Sequence, residues 1–435
     1  MSHDWLTFDW SASRTGVNPY ATGITAANVK SLSLRKVTLD GTVDSSAIYL
    51  KGVLFVTTTY GKTEAINAST GAVKWRFTPP GYASWAGSAQ ITTATPVADP
   101  SEKWIYAASP GGRIYKLATA NGHAVWSVSI TQLPSREKIA GSLNYAAGHV
   151  IAVTGGYIGD APPYQGHVAV IDSASGRLLH VWNSLCSDRV GLIVPSTCGA
   201  SDSAIWGRSG AVVDPSTGDL LVATGNAPWN GATNWGDAVL RLSPDATTLL
   251  GNYTPSDTDQ LNASDTDLGS TSPFVLDAGH IAQGGKDGKI RVLSVASMRG
   301  TSPHQGGELQ TVSTPSGTDL FTAPAVWHAG STTWVFATDN GGTAAWRYRS
   351  GQLTQAWQHG TGGTSPIVAG GLLWVYNPGG GLNVYKPGSG ALVATLPCGG
   401  GHWNSPIVVA GHVVLPEGNA NDHATTGVLD IWSVR

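Results

Sequence analysis

AINASTGAVKW (65–75) and VIDSASGRLLHVW (170–182) are two copies of one unit. Each has an apolar run, a polar turn closing on Gly71 or Gly176, and a second run ending in Trp75 or Trp182. Asn or Asp with a following Gly reverses the chain tightly, and the alternating runs on either side read as strands. Each copy is therefore the last hairpin of a small antiparallel sheet. Upstream of the second copy, GSLNYAAGHVIAVTGG (141–156) adds two more strands around a Gly-marked turn.

The same template recurs along the chain: a small polar pair, often with Pro, then an apolar strand, a Gly turn, two further strands, and a turn to a fourth strand carrying a bulky residue. Four short strands at a period of ~40 residues are the signature of a β-propeller. The expected fold is all-β: an eight-bladed β-propeller of four-stranded antiparallel blades, forming one domain over 1–435. The blades are expected at about 43–80, 92–131, 141–184, 208–255, 269–313, 321–360, 363–399 and 404–435. Residues 1–30 are left as an N-terminal arm. Blade eight has three convincing strands, and SLSLRKVTL (31–39) is a strand with no blade of its own. It is expected to close the last blade and remove the open edge.

Composition agrees. Of 435 residues only 12% are charged, with 56 Gly and 17 Trp against 2 Met, as in a turn-rich β protein. A net charge of -3 without charge blocks argues against nucleic acid and basic membrane patches. No apolar run reaches the length of a membrane-spanning helix. Met1 to Trp10 is polar and aromatic and does not read as a signal peptide; whether one was removed stays open. Cys186 and Cys198 share one short loop, which suggests a local disulfide and an oxidising compartment, with two reduced thiols as the alternative. Cys398 reads as a small packed residue.

The two opening units resemble the A-x-D-x-x-T-G-x-x-x-W repeat of the pyrroloquinoline quinone (PQQ) propeller family. That family includes the quinoprotein alcohol dehydrogenases and cofactor-free relatives such as the outer-membrane assembly propeller. The repeat is specific for fold and weak for function. It implies that Trp75, Trp126 and Trp182 dock between neighbouring blades.

Three stretches resemble the dehydrogenases more closely. In AIWGRSGAVVDPSTGDLLVATGNAPWN (204–230), the resemblance makes Trp206 the floor under a planar quinone and Asn226 a metal ligand. A blade-packing Trp and a turn Asn are the plain alternatives. In NASDTDLGSTSP (262–273) it makes Asp265 or Asp267 the catalytic base. The D-x-D spacing is similar to the lanthanide-using branch, where the second Asp, here Asp267, also binds metal; an exposed acidic loop is the alternative. Two carboxylates suit a lanthanide ion, and Ca²⁺ also accepts them. In AQGGKDGKIRVL (282–293) it brings Lys286 to the quinone oxygens, against a simple turn lysine.

The departures are equally specific. GGYIGDAPPYQGHVAVID (155–172) lacks the family's Glu metal ligand, and Asp160 is the nearest carboxylate. The adjacent-Cys pair and a C-x-x-C-H haem motif are absent. Asp44, Asn144, Arg208, Lys286, His402, Trp403 and Glu417 are expected on the channel face, with Arg208 and Trp403 among the cofactor contacts. His402, Glu417, Asp422 and His423 offer an alternative metal or acid–base site, without a recognisable ligand spacing.

The leading expectation is a PQQ-dependent oxidoreductase. It would oxidise a small alcohol in the central channel with Ca²⁺ or a lanthanide ion. Electrons would pass to a separate acceptor, and the protein would be a secreted or periplasmic monomer. The alternatives are a cofactor-free propeller binding protein, peptide or glycan, and a repurposed non-redox enzyme using the same pocket.

Overall fold

The computed structural model describes residues 3–434; Met1 and Ser2 of the arm and Arg435 of the last blade lie outside it. Eight sheets follow one another along the chain; six consist of four consecutive antiparallel strands, and the last two each also take in a strand from the start of the chain. The inner strands begin at Ile48, Val97, Asn144, Val212, Phe274, Ala325, Ile367 and Ile407. They are short and almost wholly apolar, because both of their faces meet neighbouring sheets.

Blade eight takes its outer strand from the other end of the chain. Ser33–Leu39 runs antiparallel to Gly427–Ser433, with Ser33 opposite Ser433 and Leu39 opposite Gly427. Lys36 ties the seam through Glu417 at 2.9 Å and Asp430 at 3.1 Å. The strand starts two residues later than the sequence suggests, because Val29–Ser31 forms a 3₁₀ turn.

The Trp of the repeat has a defined seat. Trp75 of blade one donates its indole N–H to the Thr119 carbonyl of blade two at 2.9 Å. A Cβ on Gly122 in that same turn would lie 2.5 Å from the Trp75 ring. Gly122 also has φ +73, a conformation that favours glycine. Trp126 sits on Gly176 and Trp357 on Gly390 in the same manner. The turn glycine is thus needed twice, by its own backbone and by the neighbouring blade's ring. Trp182 is buried in the core between blades three and four.

The N-terminal arm is structural. Its residues reach seven blades. Trp5 bridges to Tyr49, the Leu6 carbonyl accepts from Ala98, and the Ala12 carbonyl from Val213. Val17–Asn18 adds a parallel strand beside Ile367–Ala369. Asn18 donates to the Val408 carbonyl, and the Thr15 carbonyl accepts from Val326. Arg14 is 2% exposed and donates to the carbonyls of Leu143, Ser209 and Phe8 and to the Thr7 hydroxyl. Asp9 is buried beside it. Burial pushes the Asp9 carboxyl up, against the pull of Arg14. The arm meets the inner strands themselves, so it lies across one end of the central channel. The segments leading into those strands occupy the other end.

Candidate functional site

A cavity of about 330 Å³ opens where the inner strands begin. In a propeller these leading segments converge on the axis, so residues distant in sequence become neighbours. Four residues before the first inner-strand residue stand Asp44, Thr93, Ala140, Arg208, Phe321 and Trp403 in their respective blades. Six before it stand Lys138 in blade three and Trp206 in blade four. All of these except Arg208 line the cavity, as do Asp160, Asn226, Asp265, Asp267, Lys286 and His402. The structure therefore gathers nearly every candidate site residue around one space.

The base is aromatic. Trp206, Phe321 and Trp403 form a triangle with ring centroids 5.8–5.9 Å apart and tilts of 30–44°. His402 stacks on Trp403 at 4.3 Å. Such a surface suits a flat ligand.

One wall is acidic and organised by Lys286. Its ammonium lies 2.5 Å from Asp267, 3.1 Å from Asp265, and 5.6 Å from the Trp206 ring centroid. Asp267 also accepts the Asn226 backbone N–H at 2.7 Å. The two candidate bases differ: the Asp267 side chain is 4% exposed and that of Asp265 is 65%. Burial raises the Asp267 carboxyl above its usual range, while Lys286 and the Asn226 N–H pull it down. Burial works against the charge of Lys286, yet Asp267 and Asp265 hold it above its usual value. Behind them Asp237 accepts the Leu268 N–H at 2.9 Å and leaves its other oxygen unpartnered. Burial pushes that carboxyl up to about 8.

A second wall is cationic, with Lys138 on the cavity and Arg208 behind it. The Arg208 guanidinium is buried over Trp403, 4.8 Å from the ring centroid, and donates to the Asp44 and Thr93 carbonyls. Asp44 is saturated by His402 Nδ1, the Trp403 N–H and the Ala420 N–H. Burial opposes its charge, but His402 and Arg208 hold it below the usual carboxylate range.

The expected metal ligands stand near one another without forming a cage. Both Asp267 oxygens are engaged by Asn226 and Lys286. Asp160 accepts the Tyr164 hydroxyl at 2.7 Å. Among the described residues no group of three His, Cys, Asp or Glu side chains converges. Asn144 and Glu417 do not line the cavity. Asn144 bonds the Ala12 and Ala211 carbonyls, and Glu417 bonds Lys36 and the Gly399 N–H. The alternative set of His402, Glu417, Asp422 and His423 is therefore not assembled. The sequence reading missed Lys138, Phe321 and Asp237. The matching offsets of Lys138 and Trp206 from their inner strands were the available signal. Cys186 and Cys198 are joined as a disulfide. No helix of the described residues is long and apolar enough to cross a membrane.

Residues 20–179 and 80–242 match the family model described as outer membrane protein assembly factor BamB; together these spans cover more than half of the chain. Quinohemoprotein alcohol dehydrogenase ADH IIB of Pseudomonas putida is 25% identical over 287 residues, 58% of this chain and 40% of that protein. The match thus takes in about two fifths of that relative's length. Among solved structures, quinohemoprotein alcohol dehydrogenase from Comamonas testosteroni superposes with a TM-score of 0.72 at 16% identity, covering 99% of this chain and 80% of that one. A europium-containing methanol dehydrogenase gives 0.73 at 14% identity, covering 99% and 98%. At these identities the structural likeness is one of fold. Repeat, ring and family match agree, and the chain belongs to the PQQ-type eight-bladed β-propeller family.

Proposed function

We propose that the protein is a PQQ-type oxidoreductase that oxidises an alcohol in this cavity and passes electrons to a separate acceptor. One observation carries the reading: a buried carboxylate, Asp267, sits with a lysine beside an aromatic base on the cavity wall. The Trp206 face suits a flat quinone, which when bound supplies a two-electron acceptor. Asp267 takes the hydroxyl proton of the alcohol. Lys286 keeps that carboxylate ionised until the transfer and adds positive charge over Trp206. Asp265, largely exposed, is placed as a second partner for Lys286 at the mouth.

The donor set does not fit a metal ion as the side chains stand. Asp267, Asn226 and Asp160 remain the candidate ligands, but the Lys286 ammonium holds the Asp267 oxygen that a cation would need. Calcium or a lanthanide ion would have to displace it. That incomplete cage also favours a second reading, a propeller that binds a flat ligand without redox chemistry. The disulfide suits a secreted or periplasmic protein.

The test is reconstitution of the purified protein with PQQ, with and without Ca²⁺ or La³⁺, followed by dye reduction with a panel of alcohols. Activity that falls by about a hundredfold or more in Asp267→Asn supports the proposal. PQQ binding without dye reduction moves the protein to the second reading, and no PQQ binding ends the first.

A further inference from the structure

The cationic wall carries an unpaired charge that the oxidation does not use. Lys138 lines the cavity and is 7% exposed. Its backbone is pinned to Gly155 in both directions, which fixes where the side chain points from. No hydrogen bond or ion pair reaches its ammonium among the described residues. Arg208, 2% exposed, has Nε and Nη1 without partners. The one carboxylate acting on both, Asp44, already has its oxygens bonded by His402, Trp403 and Ala420. Two buried cations thus share one engaged anion. Buried charge is normally paired, and an unpaired ammonium on a cavity wall is poised for an anion from outside the chain.

We propose that Lys138 is the contact for a carboxylate of the cavity's ligand, with Arg208 behind it as a second positive charge. The ligand is then a flat, aromatic carboxylate. Its body lies against Trp206, Phe321 and Trp403, and its acid group faces Lys138. The proposal rests on the cavity of the preceding reading but not on its redox chemistry. The carboxylate can belong to a quinone cofactor or to a substrate.

Mutual repulsion supports the same conclusion. Burial first, and then Arg208, lower the Lys138 ammonium to about 8, with Asp44 opposing. An arriving carboxylate reverses that penalty. Selectivity for acids over neutral ligands follows, because a neutral amide leaves both cations unpaired.

The experiment uses 2-naphthoate and its uncharged counterpart 2-naphthamide. Binding is followed by quenching of tryptophan fluorescence and by calorimetry on the full chain, with PQQ as a third probe. Naphthoate is expected to bind at least tenfold more tightly than naphthamide. Lys138→Met is expected to remove that difference while near-ultraviolet circular dichroism stays native. Arg208→Lys, which retains the charge, is expected to keep most of it. Equal binding of the two probes overturns the proposal, as does no naphthoate binding up to roughly 10 mM or unchanged naphthoate affinity in Lys138→Met. If naphthoate selectivity holds and PQQ fails to bind, the subsite stands and the quinone reading falls. If PQQ binds Lys138→Met as it binds the native protein and naphthoate shows no selectivity, the reverse is true.

Discussion

At the scale of the residue, Lys138 and Asp267 show what a sequence can and cannot disclose. Asp267, Asn226, Trp206 and Lys286 were legible because each lies in a short stretch with a family counterpart. Lys138 was not, because a lysine in a charged stretch such as SREK reads as solvated. It is buried, and the charges acting on it, Asp44 and Arg208, are brought in from blades one and four. Its effect on stability has a definite sign. Its folded pKa is about 8, below the ordinary value of 10.5, so the fold disfavours the ammonium. The penalty is full below about 8 and fades as the pH rises towards 10.5. Lys138→Met is therefore expected to raise Tm by a few degrees at pH 7 and by less at pH 10. A lower Tm at pH 7 would count against a strained, functional lysine. Asp237, held near 8 by burial, has the opposite sign: its proton is favoured in the fold, and stability falls as the pH rises from 3.8 towards 8. Asp237→Asn is expected to flatten that slope, as read from urea midpoints between pH 5 and 8.

At the scale of the element, the repeated unit explains itself. The Gly of one blade's turn and the Trp of its neighbour's outer strand are a single joint, which is why both recur in sequence. Two alanine substitutions separate the contributions. Gly52 has φ +83 and open space around it, so Gly52→Ala reports the backbone penalty alone, about 1 kcal/mol. Gly122 has a similar φ and the Trp75 ring 2.5 Å from the added methyl. Gly122→Ala is expected to cost roughly 1–3 kcal/mol more, measured by urea unfolding. Equal costs would show that the ring moves aside freely. The disulfide is a second element-scale device. It closes a span of 12 residues, and replacing both cysteines by serine is expected to lower stability by about 2–3 kcal/mol. The strand pattern behind all this was readable from alternation and turn residues. The loops were less so, because Asp160 and Tyr164 meet only once the long connection in blade three has folded back on itself.

At the scale of the whole molecule, the ring and its closing strand were readable from counting strands, but the arm was not. Its hydrogen bonds go to seven different blades, and no local pattern encodes contacts so widely spread. Removing residues 3–22 is expected to lower Tm and expose the buried end of the channel, because Arg14 alone serves carbonyls from blades three and four. Hydrogen exchange at Leu143 and Ser209 would locate the opening. The seam between Ser33–Leu39 and Gly427–Ser433 has a further consequence. Nothing in its register distinguishes a chain's own first strand from that of another copy. Within one molecule the two ends meet at a fixed effective concentration, whereas between molecules they meet in proportion to protein concentration. Refolding from dilute solution should therefore give single rings. Crowded refolding should give strand-exchanged assemblies, in which each copy lends its first strand to its neighbour's last blade and which come apart only by unfolding.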